Sequence, residues 1–146
     1  MPLIQGGLLG CYRCGYVWRP TRERAVRICP RCKSRSWDVP KLQPIRQGRK
    51  LGIPEILGPH RSEILAVARA RGFSHVRVFG SVRRREAAKT SDVDLLVDRE
   101  ESTSLLDRAA LMTDLEEILQ RKVDVVPEEG LHWLIRPQVL FEALPL

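Results

Sequence analysis

Residues 80–98 read GSVRRREAAKTSDVDLLVD. A Gly-Ser pair opens the stretch, a basic run follows, and it closes on an apolar, strand-like segment that carries Asp92 and Asp94 beside Val93, Leu95, Leu96 and Val97. An extended chain sends every second side chain to one face, so the two aspartates are expected to project together. Adjacent carboxylates repel unless a cation or a proton lies between them. An isolated Asp-x-Asp pair reads best as a solvated strand mouth. The flanking sequence decides whether that reading holds here.

Downstream of a segment rich in Pro and Gly, the hydrophobic pattern alternates between helix and strand periods. HRSEILAVARARG (60–72) reads as a helix burying Ile64, Leu65 and Ala68, and HVRVFG (75–80) as a strand entering the Gly80-Ser81 turn. VDLLVD (93–98) is the next strand. TSLLDRAALMTDLEEILQ (103–120) is the longest helix, with Leu105, Leu106, Ala109, Met112, Leu115, Ile118 and Leu119 expected inside. KVDVVP (122–127) is a third strand carrying a further acid, Asp124. LHWLIRPQVLFEAL (131–144) is expected as a closing helix interrupted at Arg136 and Pro137, since proline breaks the hydrogen-bond ladder.

Upstream, Cys11, Cys14, Cys29 and Cys32 form two CxxC pairs separated by fourteen residues. That spacing matches four-thiolate zinc sites. Gly15 gives the first pair the permissive backbone of a metal knuckle, and Pro30 stiffens the second. So little apolar mass, with Val17, Trp18, Ile28 and Trp37 as its expected core, needs four thiolates on tetrahedral Zn2+ to stay folded. Disulfides or a redox CxxC are the alternatives, and iron suits the same thiolate cage. The segments expected are a zinc ribbon at 1–40, a linker at 41–58 and an α/β domain at 59–146.

The formal charge of +7 is unevenly spread. Residues 1–58 hold twelve Lys and Arg against three acids, +9, whereas residues 59–146 hold thirteen against fifteen, −2. A basic N-terminal third suits nucleic acid or an acidic protein face. The sequence lacks an apolar run long enough for a membrane span, and MPLIQGGLLGCYRCG does not read as a signal peptide. A cytoplasmic protein with reduced thiols is the expectation.

Strand, Gly80-Ser81, ten residues, Asp92-x-Asp94, and then Asp124 on another strand: this order resembles the nucleotidyltransferase superfamily that includes DNA polymerase β. More narrowly it resembles the minimal nucleotidyltransferases, often the antitoxin half of HEPN/MNT toxin–antitoxin pairs. The resemblance covers about residues 60–146 and implies a small nucleotidyltransferase fold with a mixed sheet. It also implies AMP transfer from ATP to a hydroxyl acceptor, possession of a HEPN-type partner, and Asp92, Asp94 and Asp124 as catalytic residues and Mg2+ ligands. Carboxylates suit that ion, which neutralises a triphosphate. Gly80, Ser81 and Arg84 are the nucleotide-binding candidates. The family's run is similar to GSxARGxA: Arg84 and Ala87 match it, while Arg83 and Arg85 stand where alanine and glycine are usual. The rival reading is a non-catalytic module whose basic ribbon docks on nucleic acid or a partner protein.

Overall fold

The structure is a computed structural model that describes residues 3–4, 6–21 and 25–146. The chain forms two compact units, residues 1–43 with 132–141, and residues 44–131 with 142–146.

In the first unit, β1 (Leu3–Ile4), β2 (Leu8–Gly10) and β3 (Val17–Trp18) form an antiparallel sheet in that order. Each cysteine pair is closed by a residue in the left-handed region. Gly15 (φ 70°) and Lys33 (φ 58°) donate their N–H groups to the carbonyls of Cys11 and Cys29, at 2.8 and 3.0 Å. Trp37, only 1% exposed, packs with Leu9, Cys11 and Cys29 against Trp18 and Val26, and its indole N–H donates to the Val26 carbonyl at 3.2 Å. The expected core holds for Trp18 and Trp37 but not for Val17 and Ile28, which are exposed. Neighbours on a strand face opposite ways, so burying Trp18 turns Val17 outward.

Residues 132–141 belong to this unit because Gly10 leaves room for them. A Cβ on Gly10 would strike the Trp133 indole, which also lies 5.6 Å from the Tyr12 ring. Gln138 and Gln43 exchange hydrogen bonds, Gln43 N–H to Gln138 Oε1 at 2.7 Å and Gln138 Nε2 to the Gln43 carbonyl at 3.3 Å. The expected closing helix is shorter than its pattern suggested. Residues 133–135 are a turn, and the helix runs Arg136–Glu142, with Pro137 near its start, where a missing N–H costs nothing.

In the second unit, α1 (Ile53–Ile56) and α2 (Arg61–Ala70) precede β4 (Phe73–Phe79), α3 (Gly80–Arg83) and β5 (Val93–Arg99). Then come α4 (Leu105–Leu119), β6 (Val123–Pro127), the last residue of α5 (Arg136–Glu142), and β7 (Leu144–Pro145). The sheet order is β6-β5-β4-β7. β5 and β6 are parallel, with α4 as the crossover that such a pair requires, and the other pairings are antiparallel, giving the mixed sheet expected. Ile64, Ala68, Leu111, Leu115 and Leu119 from α2 and α4 cover Phe73, Val78, Val93, Leu95, Val97, Val123 and Val125. β7 escaped the sequence pattern because it is two residues long. Its Pro145 sits at the sheet edge, where proline is tolerated.

Residues 44–58, read as connecting chain, lie within this unit. Gly48, Lys50 and Leu51 donate backbone N–H groups to the carbonyls of Arg84, Arg85 and Ala87 at 2.8, 3.0 and 3.1 Å. Gly48 is needed there, since a Cβ would come within 2.5 Å of the Arg85 oxygen.

The expected inner face of α4 is corrected at its first turns. Leu105 and Leu106 are 81% and 82% exposed, and Ala109 is exposed as well. The buried stripe is Leu111, Leu115 and Leu119, and a turn of 3.6 residues places Leu106 on the opposite side. Leu105 is the first helical residue, beside the Ser104–Asp107 capping box. Accordingly, Leu106→Glu should change unfolding free energy by no more than about 0.5 kcal/mol, whereas Leu111→Ala should cost about 2–5 kcal/mol. Urea denaturation of both variants measures the contrast.

Candidate active site and metal centre

β5 delivers the acids. Val93, Leu95 and Val97 are buried in the core, which turns Asp94 to the other face, while Asp92 precedes the strand and is exposed. Parallel pairing places Asp94 directly across from Asp124 on β6, and antiparallel pairing places it across from Phe79, the residue before the Gly80 turn. The three predicted acids are therefore neighbours at one end of the sheet. Gly80 has φ 71°, and a Cβ on it would collide with Asp94 Oδ2. Its lack of a side chain serves the approach of the turn to Asp94. Ser81 follows in the first turn of α3, partly buried, and its carbonyl accepts the Glu86 N–H at 2.8 Å.

Asp94 bears the electrostatic load. Burial, then the charges of Asp124 and Asp92, push its carboxyl above the usual aspartate range; Arg84 opposes them. Asp124 is more open, with a side chain 53% exposed and 3.5 Å from Arg108 Nη2. Among the described residues these acids do not close into a ready-made cage. A divalent cation here would complete its shell with substrate phosphate oxygens, as Mg2+ commonly does.

Arg84 lies beside the acids, and its partner is a residue the sequence reading missed. Glu142, 5% exposed, takes Arg84 Nη1 on both carboxylate oxygens at 3.1 and 3.2 Å, and its Oε1 accepts the Gly80 N–H at 3.1 Å. Arg84 Nε reaches Glu86 at 2.9 Å, and Arg83 Nε donates to the Glu142 carbonyl at 2.8 Å. One buried carboxylate thus ties the Gly-Ser turn to the guanidinium. Its only sequence signal was an acid in an otherwise apolar helix end, 62 residues from Gly80.

The four cysteines are brought together as expected. Their sulfurs all lie within 4.8 Å of one another, with Cys11–Cys32 at 3.7 Å and Cys14–Cys29 at 3.8 Å. A tetrahedron with metal–sulfur bonds of about 2.3 Å has edges of roughly 3.8 Å, so the cluster fits Zn2+. Burial pushes the Cys11 thiol up to about 12. Cys29, despite its burial, is lowered to about 7 by the backbone N–H groups of Cys32 and Arg31.

Residues 64–146 match the family model described as "Nucleotidyltransferase domain", more than half of the chain, and the chain belongs to that family of enzymes. The match spans every strand of the four-stranded sheet and leaves the cysteine-bearing segment outside. The chain is similar to the protein adenylyltransferase MntA of Thermococcus cleftensis, 42% identical over 93 residues, which cover 63% of this chain and 90% of the relative. It is also similar to a solved structure described as a minimal nucleotidyltransferase, at 46% identity and a TM-score of 0.59, covering 68% of this chain and all of the other. A crystal structure of a toxin–antitoxin with AMP-PNP shares the fold, at 21% identity and a TM-score of 0.52, over 57% of this chain and 69% of the other.

Two outcomes are expected. Reduced, freshly purified protein should carry about one Zn2+ per chain, and Cys29→Ser should lose it, as read by metal analysis. The second concerns pH. A carboxyl raised in the folded state is a penalty wherever it is ionised in both states, and the penalty is relieved as pH falls through the raised value. Without added divalent cation, Asp94→Asn should therefore melt higher than the parent at pH 7–8. That advantage should shrink towards the ordinary carboxylate range near about pH 4.

Proposed function

We propose that this chain transfers AMP from ATP to a hydroxyl group of a partner protein, releasing pyrophosphate. The observation that carries the reading is the meeting of Asp94 with Asp124 across parallel strands, beside Asp92 and the Gly80 turn. The adenylyltransferase name of the Thermococcus cleftensis relative supports AMP as the group moved. The toxin–antitoxin fold neighbour and the family resemblance support a HEPN-type toxin as the partner, with this chain as its antitoxin in the cytoplasm. Among the described residues no helix is long and apolar enough to cross a membrane.

In this reading the acceptor oxygen forms a bond to the α-phosphorus as the bond from that phosphorus to the pyrophosphate oxygen breaks. Asp92, Asp94 and Asp124 would hold Mg2+, which when bound neutralises the charge of the triphosphate. Asp124, exposed on β6 across from Asp94, takes the acceptor's proton. Ser81 and the outer edge of Arg84 meet the phosphates. Glu142 positions Arg84 and the Gly80 backbone from the buried side.

The experiment is label transfer from α-labelled ATP to the co-purified product of the neighbouring gene. Asp94→Asn and Asp124→Asn should lower transfer by at least about a hundredfold, and Glu142→Gln by about tenfold with the protein still folded. Glu117→Gln, on the exposed side of α4, should leave transfer unchanged. Undiminished transfer by folded Asp94→Asn protein would overturn the proposal.

A further inference from the structure

Residues 1–43, which carry the four cysteines, lie outside the matched family segment, and the AMP-transfer site proposed above uses none of them. On its surface Tyr16 and Trp18 are stacked, with ring centroids 6.0 Å apart and planes within 10°. The Arg31 guanidinium carbon sits 5.7 Å from the centre of the Tyr16 ring. These rings line a groove of about 430 Å3 with Arg19, Val26, Ile28 and Pro30. Tyr16 is 37% and Ile28 44% exposed, in contrast to Trp37 beneath them.

Charge identifies the occupant. This unit holds ten Lys and Arg against two acids, +8, while the other holds fifteen against sixteen, −1. Arg19, Arg27, Arg31, Lys33 and Arg35 are all exposed. So uniform a positive charge suits a chain of phosphates, and a cationic surface with aromatic faces is how single strands are held. Stacking requires a base whose face is free, which a duplex does not offer.

We infer that the groove beside Tyr16 and Trp18 binds single-stranded nucleic acid, with bases stacked along the aromatic wall and phosphates on Arg19, Arg31 and their basic neighbours. The site is sequence-tolerant, because every base has a π-face and the wall contributes few hydrogen-bonding groups. It is separate from the proposed AMP-transfer chemistry, and its test does not depend on that reaction.

The test uses the full-length, zinc-loaded protein and fluorescence anisotropy with labelled oligothymidylate, oligouridylate and a mixed-sequence duplex, each about 12 nucleotides or base pairs long. Both single strands should bind more tightly than the duplex, and any preference between them separates DNA from RNA as the natural ligand. Affinity should fall linearly on a log–log plot against salt, and Arg31→Gln should reduce the slope by about 0.7. Tyr16→Ala should weaken single-strand binding by about tenfold or more while retaining zinc, and Tyr16→Phe should restore it. Equal binding of duplex, no effect of Tyr16→Ala in zinc-loaded protein, or no salt-dependent binding at all would each overturn the inference. So would loss of the co-purified partner protein in Tyr16→Ala without any oligonucleotide binding by the parent, which would make the face a protein interface.

Discussion

The second unit is organised around a repulsion it has to hold. Asp94 and Asp124 sit opposite each other on β5 and β6, and Asp92 adds a third negative charge at the strand entrance. Nothing in their own chemistry keeps them together. What does is the other face of the same strands, where Val93, Leu95, Val97, Val123 and Val125 are sealed beneath α2 and α4. A one-residue slip of either strand would turn its valines to water and its aspartate into the core. The apolar register therefore fixes the spacing of the acids.

Against that charge the fold sets Arg108, 3.5 Å from Asp124, and Arg84, whose charge acts on Asp94. Arg84 is gripped by Glu142, so the guanidinium comes with its own buried counter-ion and cannot simply neutralise Asp94. The site is left short of positive charge, a suitable state for a place where a cation and a polyanion are to arrive together. Gly80 permits this crowding by omitting a Cβ where the Asp94 carboxylate lies.

Much of this was legible in the sequence because it was local or periodic. The Gly80-Ser81 turn, the Asp-x-Asp strand, the Asp124 strand and the paired CxxC motifs lie within short windows, and their residues meet as expected. The parts missed depend on distant chain. Glu142 meets Gly80 from 62 residues away, and Trp133 finds the cysteine-bearing unit because Gly10 leaves a gap. Neither pairing has a spacing to read. Leu105 and Leu106 misled for another reason: leucines near a helix start fit an inward stripe by composition, and only the tertiary position of α4 decides which side faces the sheet.

The two units share a debt to residues 132–146. Residues 132–141 complete one and residues 142–146 the other, so these fifteen residues close both. During synthesis the cysteines, Asp92 and Asp94 are made well before Trp133 and Glu142, because a chain emerges from its N-terminus. Contacts of long sequence separation also form slowly, since a large loop must close before they reward it. Until Glu142 and β7 are made, Arg84 lacks its anchor and the sheet is one strand short. Full assembly of the site thus waits on Glu142, 62 residues after Gly80.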